Sequence, residues 1–154
     1  MAELVTWFTS RLAILKLVQL LCGFITIIFL IDGKAQWKFY TVIFMTVILL
    51  CILTFLTLIV YFMRLHTQNN LPWVKIEMAL NTIAGVLCLV FAIVLIYDFF
   101  RMFNNEFIHH QYAPPPNIGH DGWRQRVVFI TIAQLLASIF YFVSLYRTKT
   151  YGLK

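Results

Sequence analysis

Apolar residues crowd this chain into four runs, at about 12–31, 39–63, 78–100 and 127–146, each bordered by polar or basic residues. Every run is about 20 residues or longer, the length at which a helix crosses a hydrocarbon core of about 30 Å. With their flanks, the runs predict helices over about 12–31, 39–63, 73–103 and 126–147. The expected fold is an all-α integral membrane protein. One domain, 1–154, holds four transmembrane helices in an antiparallel bundle with short loops.

The connections support that order. The first loop, about 32–38, is very short and carries the turn pair Asp32 and Gly33 with Trp37 as an interface anchor. The first two helices must therefore be antiparallel neighbours. The second loop ends in Leu71, Pro72 and Trp73, where proline suits the first turn of a helix. In the third loop, about 101–126, Phe99, Phe100, Phe103 and Phe107 keep helical spacing beyond the expected bilayer edge. Pro114, Pro115 and Pro116 then stop any helix and favour an extended stretch. Trp123, Arg124 and Arg126 are expected to re-anchor the chain at the membrane surface.

Composition strengthens the membrane reading. The chain is 62% hydrophobic and 12% charged, about half the charge of a soluble domain. Its mean hydropathy is +0.86. With four spans in 154 residues, no soluble catalytic domain is expected. Acidic Glu3, Lys16 inside the first run and the lack of a small-residue cleavage site after Ile31 favour a retained helix over a cleaved signal. Cys22, Cys51 and Cys88 all fall inside apolar runs, so a loop disulfide framework is excluded and the thiols are expected to pack as small residues.

The net charge of +6 does not point to nucleic acid, because the basic residues flank the runs. It sets topology instead. Four crossings put both termini on one side, with Arg11, Lys16, Arg64, Lys75, Arg147, Lys149 and Lys154. Lys34, Lys38, Arg101, Arg124 and Arg126 fall on the other. Seven against five favours cytoplasmic termini.

Polar residues inside the runs are costly and mark interior faces. Lys16, in the first helix, is expected to snorkel to the headgroups. Asp98 and Arg101 have the spacing of an interfacial pair. Gln19, Glu77, Asn81 and Gln134 are expected to form interhelical hydrogen bonds, and Glu77→Gln to leave abundance nearly intact. The competing use of Glu77, Asn81 and Gln134 is an ion or proton path. Small residues recur at Ala84, Gly85, Cys88 and Ala92 in the third helix and at Ala133 and Ala137 in the fourth. Such rows let helix backbones approach closely, inside the bundle or against another chain.

His109, His110, His120 and Asp121 lie in the third loop. A metal site needs several ligands in fixed geometry, and the intervening prolines suggest no frame for one. A solvated polar loop is expected, with no metal and no cofactor. No nucleophile–base set, phosphate loop or thiol zinc motif is present, so no enzyme is expected. Two stretches, with Tyr61 and Arg64 and with Tyr146 and Lys149, fit the loose pattern proposed for cholesterol contact.

Among four-helix families, claudins, tetraspanins and connexins carry loop cysteines that this chain lacks. The stretch RLAILKLVQLL from Arg11 resembles the opening of the first helix in the MARVEL superfamily, which includes MAL, the chemokine-like factor transmembrane proteins, synaptophysin and occludin. KIEMALN from Lys75 resembles its third helix, and the segment from Arg126 through Ala133, Ala137 and Ser138 its fourth. The resemblance implies cytoplasmic termini and work in vesicle trafficking, membrane apposition or cell junctions, with no catalytic residues. The function expected is that of a non-enzymatic membrane organiser acting through lateral helix association and lipid contacts. Its expected partners are membrane lipids, cholesterol being a candidate, and other membrane proteins or copies of itself. An accessory subunit for a larger membrane protein, or a small oligomeric channel or transporter, are the alternatives.

Overall fold

The computed structural model describes residues 10–64 and 71–153. It is all-helical in these segments, with α1 at Arg11–Leu30, α2 at Lys38–Phe62, α3 at Trp73–Phe103 and α4 at Gly119–Tyr151. All four are long and apolar enough to cross a membrane. The protein is thus a four-helix membrane bundle.

Local chemistry explains most helix ends. The Ser10 hydroxyl accepts from the Ala13 amide at 3.3 Å and opens α1. Trp37 precedes α2 in extended conformation, and Pro72 precedes α3. α4 begins at Gly119, not near 126, and runs to Tyr151, beyond the expected 147. The prolines end at Pro116, Gly119 adopts φ +70°, and Asp121 sits in the first turn, where a negative charge favours the helix N-terminus. Gly152, at φ +68°, closes the helix. Phe107 lies beyond α3, whose helical phenylalanines stop at Phe103.

The close backbone packings are α3 with α4, α1 with α4, and α1 with α2. Small residues make them possible. A Cβ on Gly23 of α1 would meet the Cys51 sulfur of α2 at 2.3 Å. One on Gly85 of α3 would press the Phe142 ring of α4 at 3.1 Å, and the Ser138 hydroxyl of α4 donates to the Gly85 carbonyl at 2.9 Å. Ala84, Cys88, Ala92, Ala133 and Ala137 are all buried in the single chain. Their rows are therefore occupied by internal packing.

The largest core cluster joins Leu30, Tyr40, Ile43, Phe44, Phe91, Leu95, Trp123 and Val127 near the first and third loops. Trp123 has no exposed surface. It is a core residue, not a surface anchor, because Gly33 leaves room for its ring: a Cβ there would lie 2.1 Å from the indole. A smaller cluster around Cys22, Leu50, Ala84, Cys88 and Tyr141 fills the middle.

Candidate functional site

Two clusters of buried polar side chains stand out, one toward each end of the bundle. The first gathers Lys16 of α1, Tyr61 of α2, and Glu77 and Asn81 of α3. The Lys16 ammonium lies 2.5 Å from Glu77 Oε1, and both side chains are fully buried. Lys16 also donates to Asn81 Oδ1 at 3.3 Å, and Asn81 Nδ2 donates to Glu77 Oε1 at 2.7 Å. The Tyr61 hydroxyl donates to Glu77 Oε2 at 2.6 Å. Lysine and carboxylate compensate one another's charge, and the amide and phenol fill remaining hydrogen-bonding positions.

This cluster corrects two expectations. Lys16 does not snorkel to the headgroups, because a buried carboxylate within reach satisfies it better than partial exposure. Tyr61 is not a lipid contact. Its ring is 3% exposed and its hydroxyl is engaged with Glu77. Arg64, Tyr146 and Lys149 are exposed. Tyr146 lines a groove of about 670 Å³ with Arg11, Ile14, Leu15, Val143, Arg147 and Tyr151.

At the other end, Asp98 of α3 has no exposed side-chain surface. The Tyr40 hydroxyl donates to its Oδ2, and the Trp123 indole N–H donates to that hydroxyl at 3.2 Å. His109 Nε2 and His110 Nε2 both lie on Asp98 Oδ1, at 2.6 Å and 2.8 Å. The third loop is therefore solvated along much of its length, with His120 and Asp121 exposed as expected, but His109 and His110 are drawn inward onto Asp98. The loop folds back over the first loop, where the Gln111 amide donates to the Gln36 carbonyl at 2.7 Å. Trp37 packs edge-on against His109 at 5.2 Å. Arg101 pairs with Glu106 at 3.1 Å instead of with Asp98. His120 packs on Phe107 at 4.6 Å, outside the cluster. The Asp98, His109 and His110 ligand atoms all lie within 4.8 Å of one another, the grouping that could hold a metal ion.

The middle of the bundle holds shorter links. Gln134 donates to the Thr26 hydroxyl at 2.7 Å, and Gln19 to the Phe140 carbonyl at 3.2 Å. Gln134 is thus not brought to Glu77 and Asn81. Gln19, Gly23, Cys51, Cys88, Gln134 and Tyr141 surround a cavity of about 10 Å³, space for about one water molecule. The fully buried Lys16–Glu77 pair offers no approach to a substrate, whereas the Asp98 cluster reaches the surface through His109, 15% exposed.

The sequence singled out Glu77 and Asn81 but missed Tyr40, Tyr61, Lys16 and Asp98 as members of these clusters. The usable signal was depth. Lys16 and Glu77 both stand a turn or so inside helix ends on the same side. No family model matches the chain, and no curated protein or solved structure matches it either.

Proposed function

We propose that this chain is a non-enzymatic membrane-organising protein, working in vesicle trafficking, membrane apposition or cell junctions through lateral association and lipid contacts. The observation that carries this reading is the withdrawal of Lys16, Glu77 and Asp98 from the outer surface. Between the two clusters the inward residues of α3 are Ala84, Gly85, Cys88, Phe91, Ala92 and Leu95. They separate Asn81 from Asp98 by about 25 Å of helix, which favours an organiser over an ion path.

The outside is suited to lipid. A groove of about 590 Å³ between α1 and α2 is lined by Leu17, Leu21, Phe24, Ile52, Phe55 and neighbouring apolar residues. It matches an acyl chain or an apolar helix. The groove beside Tyr146 combines apolar walls with Arg11 and Arg147, a fit for an anionic headgroup and its chain. Because the small-residue rows are used internally, association with other chains falls to this aliphatic and aromatic exterior. The resemblance to the MARVEL superfamily adds support for the cellular role and for cytoplasmic termini.

Purified protein in liposomes is expected to pass no current and no proton flux above protein-free vesicles. A photo-crosslinker at Phe55 should capture lipid or neighbouring chains, and one at Ala84 should capture only the chain itself. Flux abolished by Glu77→Gln would replace this reading with a channel. Capture of one stoichiometric partner would replace it with an accessory subunit.

A further inference from the structure

We propose that Asp98, His109 and His110 form a binding site for a divalent transition-metal ion of the zinc class. The inference stands on the geometry of the third loop and is independent of the organising role.

The first ground is charge. Among the described residues, each end of the bundle buries one carboxylate. Glu77 has the Lys16 ammonium beside it. Among the described residues no lysine or arginine pairs with Asp98, and Arg101, one turn on, is directed to Glu106. A buried carboxylate needs a cation beside it, and at Asp98 the two imidazoles supply one only when protonated, whereas a bound metal ion supplies it outright. What the fold supplies at Asp98 is two imidazoles on a single oxygen.

The second ground is the donor set. Two imidazole nitrogens and one carboxylate oxygen suit Zn²⁺ and its neighbours with open coordination positions. Mg²⁺ and Ca²⁺ prefer oxygen donors throughout. Zinc-to-ligand bonds of about 2.0–2.2 Å place tetrahedral ligands roughly 3.3 Å apart. The Nε2–Oδ1 separations of 2.6 Å and 2.8 Å need only a small opening to admit the ion. On binding, each ring offers the Nε2 lone pair and carries its proton on Nδ1.

The third ground is support around the ligands. Asp98 Oδ2 is held by Tyr40, and Tyr40 by Trp123. Trp37, Tyr40 and Phe107 pack on the two imidazoles. These contacts restrict how the carboxylate and the two rings can turn before the ion arrives, while neither Nδ1 has a hydrogen-bond partner among the described residues. His109 is 15% exposed, which gives the ion an entry and leaves water a coordination position. A bound ion would clip the third loop to α3 and, through Tyr40, to α2.

The test titrates tag-free, full-length protein in detergent with Co²⁺ and then Zn²⁺. One equivalent of Co²⁺ should produce a saturable visible absorption, displaced by Zn²⁺ and unaffected by excess Mg²⁺ or Ca²⁺. His109→Ala and Asp98→Asn should each weaken binding by about 100-fold, and Tyr40→Phe by roughly tenfold. His120→Ala should bind as the parent does. Should a variant fail to fold, Zn²⁺ protection of His109 and His110 from diethyl pyrocarbonate, mapped on the parent by mass spectrometry, decides instead. Absence of a saturable Co²⁺ spectrum, binding that survives His109→Ala, or failure of Zn²⁺ to protect these histidines overturns the proposal.

Discussion

Glu77 and Asp98 lie on the same inward side of α3, and each accepts a hydrogen bond from a tyrosine of α2: Tyr61 at one end, Tyr40 at the other. The two carboxylates are 21 residues apart, as are the two tyrosines. That separation is about 31 Å of helix, close to the thickness of a hydrocarbon core. α2 and α3 are not among the close backbone packings of the bundle. Their register is held by these two phenol–carboxylate contacts near the membrane boundaries, with apolar packing between.

Glu77→Gln tests the buried pair. The amide can still meet Tyr61 and Asn81, but Lys16 then has no counter-charge at a fully buried site. The variant should lose about 3–5 kcal/mol, reversing the sequence-based expectation that this change is nearly silent. Adding Lys16→Met removes the stranded charge and should restore much of the loss. Thermal melting in detergent reads both. A single variant as stable as the parent would mean that Lys16 reaches water after all.

Cys88→Leu tests the small-residue packing. Cys88 is 2% exposed, in a cluster with Cys22, Ala84 and Ala137. The larger side chain should overpack that layer and cost about 1–3 kcal/mol. Leu at Val86, 47% exposed on the same helix, should change stability by less than about 0.5 kcal/mol. Equal melting of both variants would sink the internal assignment of the row.

Topology is tested with protease on intact cells. The basic bias of seven against five predicts that an epitope beside the exposed Asn117 is cleaved while a C-terminal tag is spared. The opposite pattern would invert the orientation and place the His109 and His110 loop in the cytoplasm.

The four helices were legible because a span of about 20 apolar residues has few alternatives. Glu77 and Asn81 were legible as a pair by their spacing on one helix face. What escaped was the choice between two outcomes that the same local pattern allows. A lysine near a helix end either reaches headgroups or finds a carboxylate on another helix, and only the packing of α1 beside α3 decides it for Lys16. A tyrosine near a helix end either stays on the outer surface, as Tyr146 does at 69% exposure, or turns inward, as Tyr61 does. Adjacent histidines after a helix carry no spacing signature, so the return of His109 and His110 to Asp98 had no readable cue. The start of α4 was missed because His120, Asp121 and Arg124 look like loop by composition while extending the helix outward.

The buried Lys16–Glu77 pair also bears on biogenesis. Lys16 leaves the ribosome well before Glu77 does, and the α1–α2 hairpin brings it no acidic partner on either helix. Until α3 is made, the ammonium has only water and headgroups to meet. Arrival of α3 supplies the counter-charge. A chain truncated before Glu77 is therefore expected to leave Lys16 without its counter-charge.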